Sequence, residues 1–398
     1  MPTPIQLAVI GGGPAGLRAA QVAATAGLRV VIFDAQPSPG RKFLVAGKGG
    51  LNLSHSEPIE RFVARYSGPD QPVGIWHDLL ADFDQSAILA WTTALGVETY
   101  QAANRRIYPK SLKAAPLLRR WIEHLRSLGV QFSMNHRWSG LIPGSPHHLV
   151  FANGESIAAQ AVVFALGGAS WPKTGSDGSW LPILESLGIS CHPLVAANCG
   201  WHHAWPPEVL ASAEGQPIKN IQVTAADSSV LGELLVTRYG VEGGAIYQLG
   251  PALRAMPAPA IAIDFKPTFT HSQLIAKMES VRRDFLTAAR TRWRLSQPAH
   301  AILAHKSWHD AESLAHEVKH CVIPLDGPRP IAEAISSSGG VCWRGLDASL
   351  MVRTCPGVFV AGEMIDWEAP TGGFLIHGCL ATGTRVGRAA AAWLDQPS

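Results

Sequence analysis

The sequence predicts an α/β protein in which a domain with a central parallel sheet is interrupted by a second, β-rich domain. Three observations predict this fold. An apolar strand, a glycine-rich turn and a small-residue helix open the chain. A buried-type apolar run in the middle ends at two glycines, and a similar strand and turn return near the carboxyl terminus. Strands that alternate with helices favour a parallel sheet, because parallel neighbours need a crossover between them.

The opening strand and turn have the spacing of a dinucleotide-binding unit. Residues 5–10 are apolar and run directly into GGGPAG at 11–16, which is G-x-G-x-x-G. Gly11 allows a tight turn off the strand, and Gly13 lets backbone approach a pyrophosphate. Gly16 lets the following helix pack close to the sheet, with its N-terminal N–H groups directed at phosphate.

A second apolar strand, residues 29–33, ends at Asp34, whose carboxylate can accept hydrogen bonds from a ribose. The unit therefore predicts dinucleotide binding and leaves NAD, NADP and FAD open, although an acid at position 34 disfavours the 2′-phosphate of NADP. The predicted binding residues of this unit are Gly11, Gly13, Pro14, Ala15, Gly16 and Asp34.

Composition bounds the class of protein. The 398 residues are 47% hydrophobic and 16% charged, with a net charge of +3, which suits a folded chain and is too mild to argue for nucleic acid. No apolar stretch of about 18 residues and no signal peptide is visible, so we expect a cytoplasmic protein without a membrane partner. The six cysteines show neither C-x-x-C nor zinc spacing, and no metal site is predicted.

The chain organisation predicts an inserted domain. We assign residues 1–190 and 336–398 to one domain and 191–335 to the insertion, where proline density rises and short strands alternate with turns. Within the insertion, Leu274 to Phe285 has helical spacing, with Ser272 as the expected N-cap. A final alanine-rich helix is expected over 383–394, and 37–56 is expected to be a loop.

Two later segments point to one cofactor. Residues 164–168 form an apolar strand that ends at Gly167-Gly168, and residues 357–363 read GVFVAGE. Together with the opening unit, they resemble the glutathione-reductase-like, Rossmann-type FAD-binding fold. That resemblance implies that Gly167 and Gly362 approach FAD and that Glu363 contacts its ribityl chain or phosphate.

The runs at 40–57, 167–180, 232–246 and 337–374 extend the resemblance over nearly the whole chain. They are similar to the NAD(P)/FAD-dependent oxidoreductases also called aminoacetone-oxidase-family FAD-binding enzymes, which are related to bile-acid-inducible flavoproteins. The family implies an inserted, partly β substrate domain and no agreed substrate; some relatives resemble uridine reductases acting on ribosomal RNA. Departures after Phe374 and after Gly240 suggest a divergent subgroup.

For several further residues the sequence allows both a cofactor-binding role and a structural role. Arg41 and Lys42 are expected at phosphate or at the flavin O2, or as solvated loop charges. Asn52 and Lys48 lie in a glycine-rich run that serves either the cofactor or a plain turn. Trp138 is expected near adenine or in the core, and Asp366 is expected to bind ribityl or to cap a helix.

Gly373 and Phe374 are expected near the isoalloxazine ring. His377 follows them as a candidate proton donor, with a structural histidine as the favoured alternative. No other catalytic residue is predicted.

These features favour an FAD-binding oxidoreductase that transfers hydride at the flavin N5, with a small-molecule substrate and NAD(P)H as a candidate transient reductant. A second G-x-G-x-x-G is absent, so no separate NAD(P)H domain is expected. The alternatives are a flavin-dependent RNA uridine reductase, with RNA as the partner, and a non-catalytic flavin-binding protein. The oligomeric state is not predicted.

Overall fold

The computed structural model describes residues 4–46 and 49–396. The chain divides into two compact units, Met1–Val195 with Ile335–Ser398, and Ala196–Ala334. The domain bounds expected from the sequence stay a prediction, because compactness does not show that either part folds alone.

The strands follow one another along the whole chain. In order they are β1 (Ile5–Ile10), β2 (Val30–Asp34), β3 (Ser54–His55), β4 (Thr99–Gln101), β5 (Arg106–Pro109), β6 (Gln131–Met134), β7 (Trp138–Ile142), β8 (His147–Phe151), β9 (Ser156–Phe164), β10 (Cys191–Ala197), β11 (Trp201–His202), β12 (Pro217–Ala225), β13 (Ser228–Thr237), β14 (Gly240–Glu242), β15 (Ala260–Asp264), β16 (Cys321–Pro324), β17 (Gly327–Pro328), β18 (Ser336–Val341) and β19 (Val358–Val360).

The α-helices lie between and after these strands. In order they are α1 (Pro14–Thr25), α2 (Arg41–Ala46), α3 (Ile59–Val63), α4 (Ile75–Asp82), α5 (Gln85–Ala94), α6 (Ala114–Ser127), α7 (Leu181–Ser186), α8 (Pro207–Ala213), α9 (Gly244–Ala255), α10 (His271–Ala276), α11 (Phe285–Arg292), α12 (Gln297–Leu303), α13 (Ala311–Lys319) and α14 (Phe374–Leu394). Short 3₁₀ turns cover Pro172–Thr174, Ile331–Glu333, Trp343–Gly345 and Gly362–Met364.

The main sheet of the first unit has the order β6-β2-β1-β9-β8-β7, with β19 also paired to β9. The pairs β1–β2, β2–β6, β1–β9 and β9–β19 are parallel, whereas β8 is antiparallel to both of its neighbours. Ile10 aligns with both Phe33 and Phe164, and Phe164 aligns with Val360. The carboxyl ends of four strands therefore meet at one edge, and the predicted parallel-sheet fold is confirmed.

Glycines allow two helices to pack unusually close to this sheet and to each other. A Cβ at Gly16 would lie 2.0 Å from the Gly11 carbonyl oxygen. On α14, a Cβ at Gly383 would lie 2.4 Å from the Ala15 oxygen, and one at Gly387 would lie 2.7 Å from the Ala19 oxygen. The expected helix 383–394 is too short, since α14 begins at Phe374.

The second unit is built on an antiparallel sheet with the order β16-β15-β12-β13-β14-β11-β17. Helices α8 to α13 accompany it, and this confirms the β-rich α+β character predicted for the insertion. The single helix expected near 272–285 is wrong. Thr270 caps α10 in a capping box with Gln273, α10 ends at Ala276, and α11 begins only after Asp284.

Candidate functional site

The edge formed by the carboxyl ends of β1, β2, β9 and β19 opens into three adjoining cavities of the first unit. We name them the central cleft, the side pocket and the chamber. Ala35, Leu166 and Gly175 line both the cleft and the side pocket. The cleft and the chamber share four other lining residues, which are Pro14, Lys42, Glu363 and Cys379. The three cavities therefore adjoin one another as a groove across the strand ends, which is where ligands bind in open α/β sheets.

Two glycines of the turn that lines the cleft have different surroundings, one closely packed and one open. Gly11 has a φ of 108°, and a Cβ there would lie 2.3 Å from the Ala165 oxygen, so the fold itself requires this glycine. A Cβ at Gly13 would meet no atom within 4 Å. Gly13 is also the N-cap of α1, which carries no side-chain cap. The space and the uncapped helix N-terminus suit a pyrophosphate.

The end of β2 supplies the acid of the cleft. Asp34 accepts hydrogen bonds from the Gly12 and Gln36 N–H groups, each at 2.8 Å. Burial raises the pKa of the Asp34 carboxyl, and the two backbone hydrogen bonds partly oppose that shift. Asp34 and Arg41 both line the cleft. Arg41 begins α2, so part of the expected loop at 37–56 is a helix.

An ion pair stands at the junction between the cleft and the chamber. Lys42 Nζ donates to Glu363 Oε2 and to Ser170 Oγ, each at 2.7 Å. The structure thus joins two residues that are 321 positions apart in the sequence. Their charges neutralise each other, so the junction is polar without a large net charge.

The chamber has apolar walls with a few polar groups. The apolar residues in its lining include Phe43, Ala46, Ile335, Leu375 and Ile376. Asn52 also lines it, and its Oδ1 is buried with no donor among the described residues. Gly373, the N-cap of α14, has a φ of 98° and lies so close to Ser54 that a Cβ would meet the Ser54 nitrogen at 2.6 Å. Lys48 lies outside the described residues.

The side pocket lies on the other side of the cleft. Trp138 lines it, and its ring is tilted against Phe164 with the centroids 4.6 Å apart. Trp138 is 6% exposed, and its Nε1 is buried without a partner among the described residues. Arg137 and Asp177 form an ion pair of 2.9 Å in the same lining. Trp138 is thus both a core residue and a wall of the groove.

The geometry of His377 fits the structural role that the sequence favoured and not that of a proton donor. It is fully buried in α14, with Nδ1 2.8 Å from Ser54 Oγ and Nε2 2.8 Å from the Phe83 oxygen. The neutral tautomer with a proton on Nε2 satisfies both contacts, because Ser54 then donates to Nδ1. Burial lowers the pKa of His377 to about 4. His377 does not line the chamber and holds α14 in place.

Asp366 and Phe374 are not among the described residues that line the three cavities. Asp366 is 1% exposed, accepts the Gly339 N–H at 2.9 Å and lies 2.6 Å from His192 Nδ1. It caps none of the described helices, and its contact with a ribityl chain stays a prediction. Phe374 packs into the core, with its ring centroid 5.0 Å from that of Phe62. Only its position at the start of α14 is near the chamber.

Two residues of the junction were not predicted as site residues. Ser170 Oγ accepts a hydrogen bond from Lys42 Nζ. The sequence feature that could have indicated this residue is its position in the run GGASWP. Cys379 lines both the cleft and the chamber. Burial, with a smaller contribution from Glu363, raises the pKa of this thiol to about 12, so it is neutral at ordinary pH.

A groove at the carboxyl edge of a parallel sheet, lined by a glycine turn and a helix start, defines the class as a Rossmann-type nucleotide-binding protein. Residues 5–389 match the family described as HI0933-like protein Rossmann domain, and the chain belongs to that family. The FAD-binding oxidoreductase family recognised from the sequence motifs is thereby confirmed.

Two curated relatives align with almost the whole chain. The chain is 26% identical over 416 residues to a 3-dehydro-bile acid delta(4,6)-reductase of Clostridium scindens, covering 97% of this chain and 99% of the relative. It is 23% identical over 380 residues to the ribosomal RNA dihydrouridine synthase of Escherichia coli, covering 92% and 93%.

A solved structure shows the same fold. The 3-ketosteroid-delta4-(5alpha)-dehydrogenase from Rhodococcus jostii RHA1 aligns with a TM-score of 0.55 at 16% identity, over 98% of this chain and 97% of that one. Among the described residues, no helix is both long and apolar enough to cross a membrane.

Proposed function

We propose that this oxidoreductase holds FAD along the three-cavity groove and transfers hydride between the flavin N5 and an apolar small molecule in the chamber. The observation that carries the proposal is the order of the three adjoining cavities along the groove. It runs from the side pocket, through a cleft lined by a helix N-terminus and an acid, into a chamber with apolar walls. An extended dinucleotide with a polar centre and an aromatic ring at each end has this sequence of surfaces.

Different parts of the groove would hold different parts of this cofactor. The empty space at Gly13 and the uncapped start of α1 would hold the pyrophosphate, with Arg41 beside it. Asp34 would accept from the adenosine ribose, since a carboxylate oxygen that accepts one N–H can accept a second donor. The side pocket beside Trp138 would hold the adenine, and Glu363 would contact the ribityl end.

When bound, FAD supplies the electron pair as a hydride acceptor or donor. The chain supplies binding, orientation and the exclusion of water. The apolar walls of the chamber exclude water from the reacting faces, and Lys42 provides a cation at the junction. Lys42 is fixed in one position by Glu363 and Ser170, so that its charge is oriented before any ligand arrives.

The chamber favours an uncharged, apolar substrate. Its only charged lining residues among those described, Lys42 and Glu363, already pair with each other. A substrate with a large apolar body and one polar group would bury the body against residues such as Phe43 and Leu375. The bile-acid reductase relative supports this substrate class. We further propose NAD(P)H as the transient reductant.

The test begins with the visible spectrum of the purified protein and a titration of the FAD-depleted protein with FAD. Anaerobic mixing with NADH and then NADPH follows, and the absorbance of the flavin near ~450 nm is recorded. We expect bleaching by one nucleotide and return of the colour when an apolar, conjugated ketone is added. A protein that shows no flavin band and does not bind added FAD would contradict the proposal.

A second candidate function is reduction of a uridine in RNA, which the Escherichia coli relative favours because it aligns over 92% of this chain. It predicts that RNA co-purifies with the protein and that the association weakens steeply with salt. Re-oxidation of the reduced protein by RNA, and not by apolar ketones, would select this function. A flavin that neither nucleotide reduces would instead indicate a non-catalytic flavin-binding protein.

A further inference from the structure

The positive charge of the chain is concentrated in one segment of the second unit. Residues 264–294 contain seven lysines and arginines and three acids, whereas the rest of the chain contains 26 basic and 27 acidic residues. The mild net charge of +3 therefore includes a local excess of four positive charges. Such a local excess is typical of a surface that binds a polyanion.

The fold brings four cations of this segment together. Lys266 follows β15, Lys277 follows α10, Arg292 ends α11, and Arg294 comes two residues later. Lys266 Nζ donates to the Arg294 oxygen at 2.6 Å, and Arg292 Nη1 donates to the Lys277 oxygen at 3.2 Å. Lys277 Nζ lies 4.9 Å from the centroid of the Phe269 ring. We name Lys266, Lys277, Arg292 and Arg294 the basic surface.

Carboxylates neutralise little of this charge. None of the four side chains of the basic surface forms an ion pair among the described residues. Of the three acids in the segment, Asp264 pairs with Lys319 at 2.5 Å, and Asp284 lies 4.0 Å from Arg283. Glu279 is exposed and forms no ion pair in the described part of the chain. Two of the cations donate instead to backbone carbonyls, which orient them without cancelling their charge.

The basic surface is open to solvent and has no apolar anchor. Lys277, Arg292 and Arg294 are exposed, so a ligand can reach them. Burial, with a smaller contribution from the charge of Arg294, lowers the pKa of Lys266, as expected where like charges crowd. No exposed large apolar side chain of the described residues lies between Leu231 and Val322, which disfavours a membrane as the partner. A chain of phosphate groups fits best, since guanidinium and ammonium groups both donate to phosphate oxygens.

We infer that the basic surface binds the phosphate backbone of RNA. Contacts of this kind position a nucleic acid without reading its sequence, because they reach phosphates and not base edges. The choice of RNA among polyanions rests on the second candidate function. None of the four residues lines the three cavities of the groove, so we expect RNA binding not to require bound FAD.

The experiment measures the dissociation constant of a fluorescein-labelled single-stranded RNA by fluorescence anisotropy at several salt concentrations. The variant Lys277→Gln/Arg292→Gln/Arg294→Gln removes the three exposed cations of the basic surface. At about 100 mM salt, we expect this variant to bind at least about tenfold more weakly than the wild type. The slope of log K against log salt should become shallower by about 2, because fewer counterions are released from the RNA.

The matched control is Lys113→Gln/Arg119→Gln/Arg120→Gln, which removes the same charge from exposed positions in and just before α6. It should bind RNA within about twofold of the wild type. Thermal melts show whether each variant folds. Arg292→Gln alone, which should make the slope shallower by about 1, replaces the triple variant if that protein does not fold.

Three results would overturn the inference. They are a wild type that does not bind RNA, equal weakening by the variant and its control, and tighter binding to phosphatidylserine vesicles than to RNA. If RNA binds through the basic surface and does not re-oxidise the reduced protein, the inference stands and the second candidate function fails.

Discussion

The central cleft and the chamber are built on opposite principles. In the cleft, the acid Asp34 is already satisfied by two backbone N–H groups, and glycines are required where backbone meets backbone. In the chamber, the walls are largely apolar, and Asn52 Oδ1 has no donor among the residues that the structure describes. The closely packed Gly11 and Gly16 thus belong to the fold itself, whereas the apolar walls of the chamber form a binding surface. Changes at the packed glycines should therefore affect folding first, and changes at Gly13, at Arg41 or in the apolar walls of the chamber should affect binding first.

The largest expected effect is a loss of stability on substitution of Gly16, the last glycine of the turn. Gly16→Ala places a Cβ 2.0 Å from the Gly11 oxygen, which is backbone and cannot move aside. We expect a loss of about 3 kcal/mol or more in the free energy of unfolding, measured with urea. A Gly16→Ala protein as stable as the wild type would show that the contact between α1 and β1 is not required.

The second prediction concerns the pH dependence of stability at His377. Its pKa is about 4 in the folded protein and about 6.5 when it is exposed, so the unfolded chain binds the extra proton between these values. This contribution to stability is therefore complete above about pH 6.5 and is lost as the pH falls towards 4, by on the order of 3 kcal/mol. His377→Gln should flatten that slope in urea titrations at several pH values.

The same variant tests the correction to the role of His377. Because His377 packs behind the chamber, His377→Gln should leave the pH profile of flavin reduction unchanged. Equal pH slopes of unfolding for the wild type and the variant, together with an altered pH profile of reduction, would return His377 to a catalytic role.

An intermediate effect is expected at the junction. Lys42→Met leaves the largely buried Glu363 without its cation, and we expect a loss of about 2 kcal/mol in the free energy of unfolding. The double variant Lys42→Met/Glu363→Gln should recover most of that loss, since the uncompensated charge is removed. If the losses of the two single variants simply add in the double variant, the pair is not coupled and this prediction is wrong.

The smallest effect is expected from Arg41, a charge in the lining of the cleft. Arg41→Gln should weaken FAD binding about threefold at low salt and less at high salt, because salt screens a partly exposed cation near phosphate. Arg61→Gln, which removes the same charge from the exposed face of α3, is the matched control and should not change binding. Equal effects of the two substitutions would show that Arg41 acts through net charge alone.

The sequence predicted the cleft better than the chamber for a physical reason. Gly11, Gly16 and Asp34 act within one local strand–helix–strand unit, so their spacing alone implies their geometry. The ends of β9 and β19 were also predicted, because short apolar runs before glycines are typical of buried strands. The parallel sheet followed from these elements.

The chamber depends on contacts that spacing does not reveal. The start of α14 was missed because Gly378 and Gly383 lower helix propensity, yet these glycines allow close packing on Trp367 and Ala15. Asp366 and His377 are polar residues near the expected cofactor, and only the fold shows that their partners are His192 and Ser54. The pairing of Lys42 with Glu363 joins distant segments and needed the tertiary structure.

The most direct test of the account uses the space at Gly13. A Cβ there meets no protein atom within 4 Å, so Gly13→Ala should fold as the wild type does and yet intrude where the pyrophosphate is proposed to lie. Gly345→Ala is the matched control, since a Cβ at Gly345 is equally free of neighbours and lies outside the groove.

The measurement is the dissociation constant of FAD for the three proteins, together with their melting temperatures. The account predicts unchanged melting temperatures throughout, at least about tenfold weaker FAD binding by Gly13→Ala and wild-type binding by Gly345→Ala. Wild-type FAD affinity in Gly13→Ala would contradict the claim that this groove is the cofactor site.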